Sequence, residues 1–286
     1  MSLTRLAGIV AAICVLICLP AALASAAEAV SDRYFVHVLN RLAFGPTLED
    51  FHHVRSIGVD RYIAEQLDPE SIPEPFELEW RIAALQTLRY NAAQLRRLYG
   101  PLPAVRGFSL PPELEKAQRE RAQTIVQQAA QARVLRAVLS RRQLQEVMVD
   151  FWFNNYNVFA GKDLDHLWIG DYERQVIRPF ALGRFRDLLF ATTKHPAMLV
   201  YLDNTLSTAP GSPGARRNSS GLNENFAREL MELHTLGADG GYTQEDVITL
   251  ARILTGWSIN RPDARELPAA RSRRSTSDLS PSRQRR

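Results

Sequence analysis

A chain of 286 residues, 45% of them hydrophobic, is long enough for one large domain or two small ones and can bury a core. The net charge of +4 does not indicate a nucleic-acid partner: residues 261–286 hold eight arginines against Asp263, Glu266 and Asp278, so everything before them sums to −1. Both cysteines, Cys14 and Cys18, lie in an apolar leader, which leaves the remaining chain without disulfides, thiol catalysis or cysteine-ligated zinc.

The first segment has three parts. Arg5 supplies a positive start, Leu6–Leu19 is an uninterrupted apolar run, and Pro20 precedes small residues at Ala24 and Ala26. This is the layout of a secretory signal peptide over residues 1–27, with cleavage near Ala26 or Ala27. An uncleaved anchor is the alternative, and Pro20 with the small-residue site favours cleavage. The expected compartment is periplasmic or extracellular, with membrane contact through this segment alone.

From residue 28 onward the apolar spacing is helical and no stretch alternates as a strand, so the expected fold is an all-α, irregular multi-helix bundle of one domain spanning 28–259. Phe35, Val38, Leu39 and Leu42 share a face of a first helix that stops at Gly45-Pro46. "TLED" (47–50) is a capping-box start for a second, and Gly58 separates it from "VDRYIAEQL". Three prolines make 68–75 a linker. Helices are predicted at Glu77–Tyr99 and Pro112–Ser140, the latter a strut with a solvated face. An aromatic segment follows, with Phe151, Trp152, Tyr156 and Phe159 at the spacing of a core helix; a glycan- or protein-binding face is the alternative. Further helices are predicted at Asp165–Val176, Phe185–Thr193 and Pro196–Asp203. A Gly/Ser/Pro loop occupies 207–221, and loops of this length inside a domain are usually functional or mobile.

The last two predicted helices, Leu222–Leu236 and Gln244–Trp257, flank "LGADGGYT". On the first, Phe226, Ala227, Leu230, Leu233 and His234 fall on one side, and Glu224, Asn225, Arg228, Glu229 and Glu232 on the other. Arg228 lies four residues from both Glu224 and Glu232, which suffices for a salt-bridged surface helix. Gly237 is a C-cap, and Thr243 with Asp246 forms a second capping box. A calcium loop is the bolder reading of "DGGYTQED", but Thr235 and Gly237 would stand where carboxylates are needed. Residues 260–286 read as a disordered Arg/Ser/Pro-rich tail. With three lysines against 32 arginines, that tail resembles an out-of-frame translation of GC-rich DNA, so the natural protein is expected to continue past Ile259.

Four segments carry a resemblance: "HVLNRLAFGPT" (37–47), "VMVDFWFNNYNVFAGKD" (147–163), "HPAMLVYLDN" (195–204) and "GLNENFARELMELHTLGADGGYTQEDVITLARILTGW" (221–257). Together they resemble the bacterial family called domain of unknown function 1800. The resemblance implies an exported, mostly helical, longer protein, often encoded beside another exported family that is a candidate partner. It implies no reaction. It singles out His37, Arg41, Phe151, Trp152, Asn154, His195, Asp203, Asn204, Asn223, Glu224, Arg228, Glu229, Glu232 and His234. Asn155 departs from the family, which often has histidine there.

Two functions follow as expectations. The first is an exported hydrolase whose catalytic site gathers His37, Asn154, His195, Glu224, Glu229 and His234, with or without a divalent metal; carboxylates hold charge and imidazoles move protons near neutral pH. No HExxH, GxSxG or phosphate loop supports it. The second is a non-catalytic envelope or extracellular protein that binds a glycan or a protein through the aromatic segment. Nucleic acid is not an expected partner, and oligomeric state is left open.

Overall fold

The computed structural model describes residues 32–101, 111–212 and 221–259. The predicted signal peptide (1–27), most of the 207–221 loop and the 260–286 tail lie outside the described residues. Among the described residues the fold is helical throughout with no strand, and no helix is long and apolar enough to cross a membrane. It is an all-α domain whose contacts fall into two compact units.

The first unit holds residues up to Glu74 together with Arg141–Val147. Helix α1 (residues 32–42) packs with α2 (Leu48–Ile57) and α3 (Val59–Leu67) around Val38, Leu39, Val54, Val59 and Tyr62. The predicted box is present: Thr47 Oγ1 accepts from the Asp50 amide at 3.0 Å, while Asp50 takes the Thr47 amide in return. Gly58, at φ 84°, ends α2 and opens α3. Buried Gln66 secures the distant segment by accepting from the Leu144 amide at 3.0 Å and donating to the Arg141 carbonyl at 2.9 Å.

The second unit holds Pro75–Ser140 and everything from Met148. The predicted 77–99 helix is broken into α4 (Phe76–Ala83), a 3₁₀ turn (Gln86–Arg89) and α5 (Ala92–Tyr99). The cause is Asn91, whose side chain caps α5 in a capping box with Gln94, while Thr87 bonds to Gln128. Helix α6 runs 28 residues, Pro112–Leu139, and buries Ile125, Ala129 and Ala132. Helix α7 (Gln143–Asn155) begins in the first unit.

Helix α8 (Asp165–Tyr172) packs close to α6 at Gly170, where a Cβ would stand 3.0 Å from Leu88 and 3.3 Å from Ala129. The predicted single helix 165–176 instead widens into a π turn, Glu173–Ile177, before α9 (Arg178–Phe180). Then come α10 (Phe185–Lys194), α11 (Pro196–Tyr201), α12 (Asn225–Glu232) and α13 (Gln244–Leu254). Tyr156, Leu167, Trp168, Tyr172, Leu188, Leu199 and Phe226 make the centre of this unit's core.

Helix α12 is shorter than predicted at both ends. Asn223 Oδ1 takes the Asn225 amide at 2.9 Å and so stands outside the helix. At the other end the His234 amide reaches back to Glu229, and the Leu236 and Gly237 amides share the Met231 carbonyl, with Gly237 at φ 86°. Leu233, predicted on the apolar side, is 62% exposed because the helical register ends before it.

Candidate functional site

Of the six residues singled out from sequence, the five in the second unit are joined to one another by no side-chain hydrogen bond or ion pair. His37 is exposed on α1 in the first unit. Asn154 is exposed on α7 and donates to the Asp150 carbonyl and carboxylate at 2.9 and 3.2 Å. Glu224 accepts from Gln244 Nε2 at 2.6 Å and from Arg228 at 3.4 Å, while Glu229 is half-buried on α12. His234 is buried edge-on to Tyr156, ring centres 4.9 Å apart, and burial pulls its pKa down to about 4. Among the described residues no group of three or more His, Cys, Asp or Glu side chains is arranged to hold a metal ion. In the segment suggestive of calcium, the Asp246 carboxylate is occupied by the Thr243 amide and hydroxyl, each at 2.8 Å.

His195 is fully employed. Its Nδ1 accepts from the Ala197 amide at 3.2 Å, capping α11, so Nε2 carries the hydrogen that faces Asp171 Oδ2 at 3.3 Å. Asp171 in turn accepts from Arg174 at 2.6 Å. With both ring nitrogens occupied, His195 is a buried structural residue. Replacing it with alanine is expected to cost about 1–3 kcal/mol, a lost cap plus one Asp171 carboxylate oxygen left without its His195 partner. His195→Asn, which can still cap, should recover part of that loss in urea unfolding.

A different set of polar groups is gathered by the turn before α8, the end of α11 and the approach to α12. Lys162 Nζ lies 2.8 Å from Asp203 Oδ2 and also donates to the Tyr201 carbonyl. The Asp203 carbonyl accepts from Asn223 Nδ2 at 3.0 Å, and Ser207 accepts from the Asn223 amide at 3.1 Å. Asn204 is buried; its Nδ2 donates to the Leu254 and Trp257 carbonyls at 3.1 and 3.0 Å, which leaves Oδ1 without a partner. Swapping the amide would set oxygen against two carbonyls, so this orientation is chemically fixed.

Asp165 is the unusual member. It is completely buried, and neither carboxylate oxygen has a hydrogen-bond partner. Burial raises its pKa to about 8; Lys162 opposes the shift, and Asp163 and Asp203 reinforce it. Asp163 at φ 42° and Asp203 at φ 57° are the only described residues other than glycine with positive φ. Aspartate tolerates this region better than most side chains, yet such strain concentrates where a site over-determines its backbone.

Sequence reasoning passed over Lys162, Asp163 and Asp165. The available signal was "GKDLD", two aspartates one residue apart inside an apolar stretch and beside one of only three lysines. Asp203, Asn204 and Asn223 were noticed through the resemblance alone. Chemically, the cluster offers a carboxylic acid that keeps its proton through neutral pH, beside an ion pair whose Lys162 and Asp203 remain partly open to solvent.

No curated protein and no solved structure matches this sequence. The family described as "Protein of unknown function (DUF1800)" matches residues 37–284, a span that takes in the Lys162–Asp165 turn, Asp203, Asn204 and Asn223 as well as both units, and the chain belongs to that family.

Proposed function

We propose that this chain is an exported hydrolase working by general acid–base catalysis, with Asp203 and Lys162 at the solvent-facing edge of the site and Asp165 behind them as the proton store. The carrying observation is Asp165: a fully buried carboxylate with no partner is costly, and proteins keep such a group where its proton is used. Hydrolysis needs a base to take a proton from water and an acid to protonate the leaving group. In this reading Asp203 takes the first task, its hydrogen bond from Lys162 supporting the assignment, and Asp165, protonated below about pH 8, takes the second. Export rests on the layout of residues 1–27, and a neighbouring exported protein is the proposed partner.

Chromogenic ester, glycoside, peptide and phosphoester substrates test the reading. With any substrate turned over, Asp203→Asn and Asp165→Asn should each lower kcat/KM by about 10²-fold or more, and the wild-type rate should fall as pH rises through about 8. Unchanged turnover in both variants would end it.

A second reading has its own observation. Phe151 and Phe159 are 53% and 64% exposed, and Trp152, stacked on Tyr156, is only partly covered. Exposed aromatic rings beside Asn154 and Asn155 suit a binding protein for a glycan or another protein. Loss of partner capture in Phe151→Ala, with hydrolysis absent throughout, would favour this reading.

A further inference from the structure

We infer that the exposed face of α1 is a docking surface for an anionic phospholipid bilayer. The surface is built by the first unit alone and rests on neither reading of the function.

Helical register lays the face out. Val38, Leu39 and Leu42 turn one side of α1 into the core with Val54 and Tyr62. At about 100° per residue, that leaves an outer arc of Val36, Asn40, Arg33, His37, Arg41 and Tyr34. Arg33, His37 and Arg41 recur at every fourth position, so three basic side chains line about 12 Å of helix. Tyr34 is 55% exposed, and Phe44, two residues past the helix end, is 53% exposed. Scattered apolar residues are ordinary on a surface; a tyrosine and a phenylalanine beside a basic stripe are a pattern.

Charge decides the occupant. Other helices of this chain answer an arginine with an acid four residues away, as Glu77 does for Arg81 and Glu224 for Arg228. The α1 stripe has no such answer: its arc carries no carboxylate, and no described acid pairs with Arg33, His37 or Arg41. Asp32, the one acid on the helix, falls outside the arc and has one carboxylate oxygen buried. On the neighbouring helices Asp50 is taken by Thr47, Glu49 by Arg141, and Glu65 by His53 and Arg61, while Asp60 is exposed on α3 and bonded to none of the three. Basic residues without an internal counter-charge fit a negative surface, and exposed aromatic rings beside them fit a surface with an apolar layer under its headgroups. An anionic bilayer offers both to a helix lying along it. The predicted leader, which meets a membrane whether cleaved or retained, ends only a few residues before α1.

The probe is vesicles of phosphatidylglycerol and phosphatidylcholine in equal parts, with pure phosphatidylcholine vesicles as reference, in a co-sedimentation assay. The chain is used from residue 28, so that the apolar leader contributes nothing. Partition into the anionic vesicles is expected, and it should weaken as sodium chloride is raised. Arg33→Gln and Arg41→Gln should each weaken it about fivefold and together by about 20-fold, because each arginine near an anionic surface contributes a similar increment. Arg61→Gln, exposed on α3 of the same unit, should leave it unchanged. Tyr34→Ala with Phe44→Ala should lower the binding that survives at high salt, where charge is screened and apolar contact remains. All these side chains are exposed, and circular dichroism with Tm confirms that each variant is folded. No partition of the wild-type chain, equal partition into pure phosphatidylcholine, or wild-type partition by the double arginine variant overturns the inference. So does a double variant that loses binding to polyglutamate while keeping its vesicle binding, since the face would then dock an acidic protein segment.

Discussion

Unfolding stability is expected to stay level or rise slightly from pH 4 to 6.5, then fall by on the order of 2 kcal/mol between pH 6.5 and 8. Two buried groups of opposite sign produce this shape. Asp165 has a folded pKa of about 8 against an ordinary 3.8, so the native state holds a proton that the unfolded chain releases; its stabilising contribution is complete below pH 3.8 and is lost as pH climbs to 8. His234 has a folded pKa of about 4 against 6.5, so the unfolded chain holds the proton instead; its contribution is complete above 6.5 and is lost as pH falls toward 4. Between 4 and 6.5 the two slopes cancel. His166, whose pKa burial also lowers, adds a small rise there. Above 6.5 only Asp165 remains. Urea midpoints at pH 5, 6.5 and 8 measure the curve. Asp165→Asn should abolish the drop above 6.5, and His234→Phe should extend it down to pH 4. An Asp165→Asn variant as pH-sensitive as wild type would mean that Asp165 is not the desolvated group described above.

Helix beginnings are the most legible feature of this sequence because caps are local chemistry. Thr47 with Asp50 and Thr243 with Asp246 form the expected boxes, whereas the helix before Gly237 is capped four residues earlier, at Leu233, and Gly237 takes its positive φ in the turn that follows. Helix interiors are less legible where tertiary bonds intervene. Nothing around Glu173 distinguishes a π turn from an α-helix; the extra residue is accommodated because it puts Glu173 within reach of Arg133, Arg136 and Arg178. The aromatic segment divides at a helix end. Trp152 on α7 and Tyr156, one residue past its end but still bonded through its amide to the Trp152 carbonyl, stack, whereas Phe159 is four residues beyond Asn155 and points outward, so helical spacing no longer governs it. Polar residues were the least legible. Glu224 and Arg228 catch the eye on a helical wheel but spend their side chains on each other and on Gln244. Asp165 attracts no notice in sequence because burial, not residue type, is what makes it reactive.

Phe226→Ala is expected to destabilise the chain by about 3–5 kcal/mol, while Glu229→Ala on the same helix should stay within about 0.5 kcal/mol of wild type. Helix α12 has only eight residues, too short to persist without packing, so its placement depends on the face it buries. Phe226 and Ala227 are completely buried in the core that includes Tyr156, Trp168 and Leu199. Removing the ring leaves a cavity among neighbours set on several helices, which cannot all close over it. Glu229 is half-buried on the other arc, and its backbone carbonyl, unaffected by substitution, is what accepts the Leu233 and His234 amides. The same pair of variants separates two views of the acidic helix. If its carboxylates formed a catalytic cluster, Glu229→Ala would abolish turnover and leave stability intact. On the present geometry that variant retains turnover, Asp203→Asn loses it, and Phe226→Ala fails through unfolding. Guanidinium unfolding of the three variants beside their kcat/KM values decides the matter, and loss of activity in folded Glu229→Ala would return the site to α12.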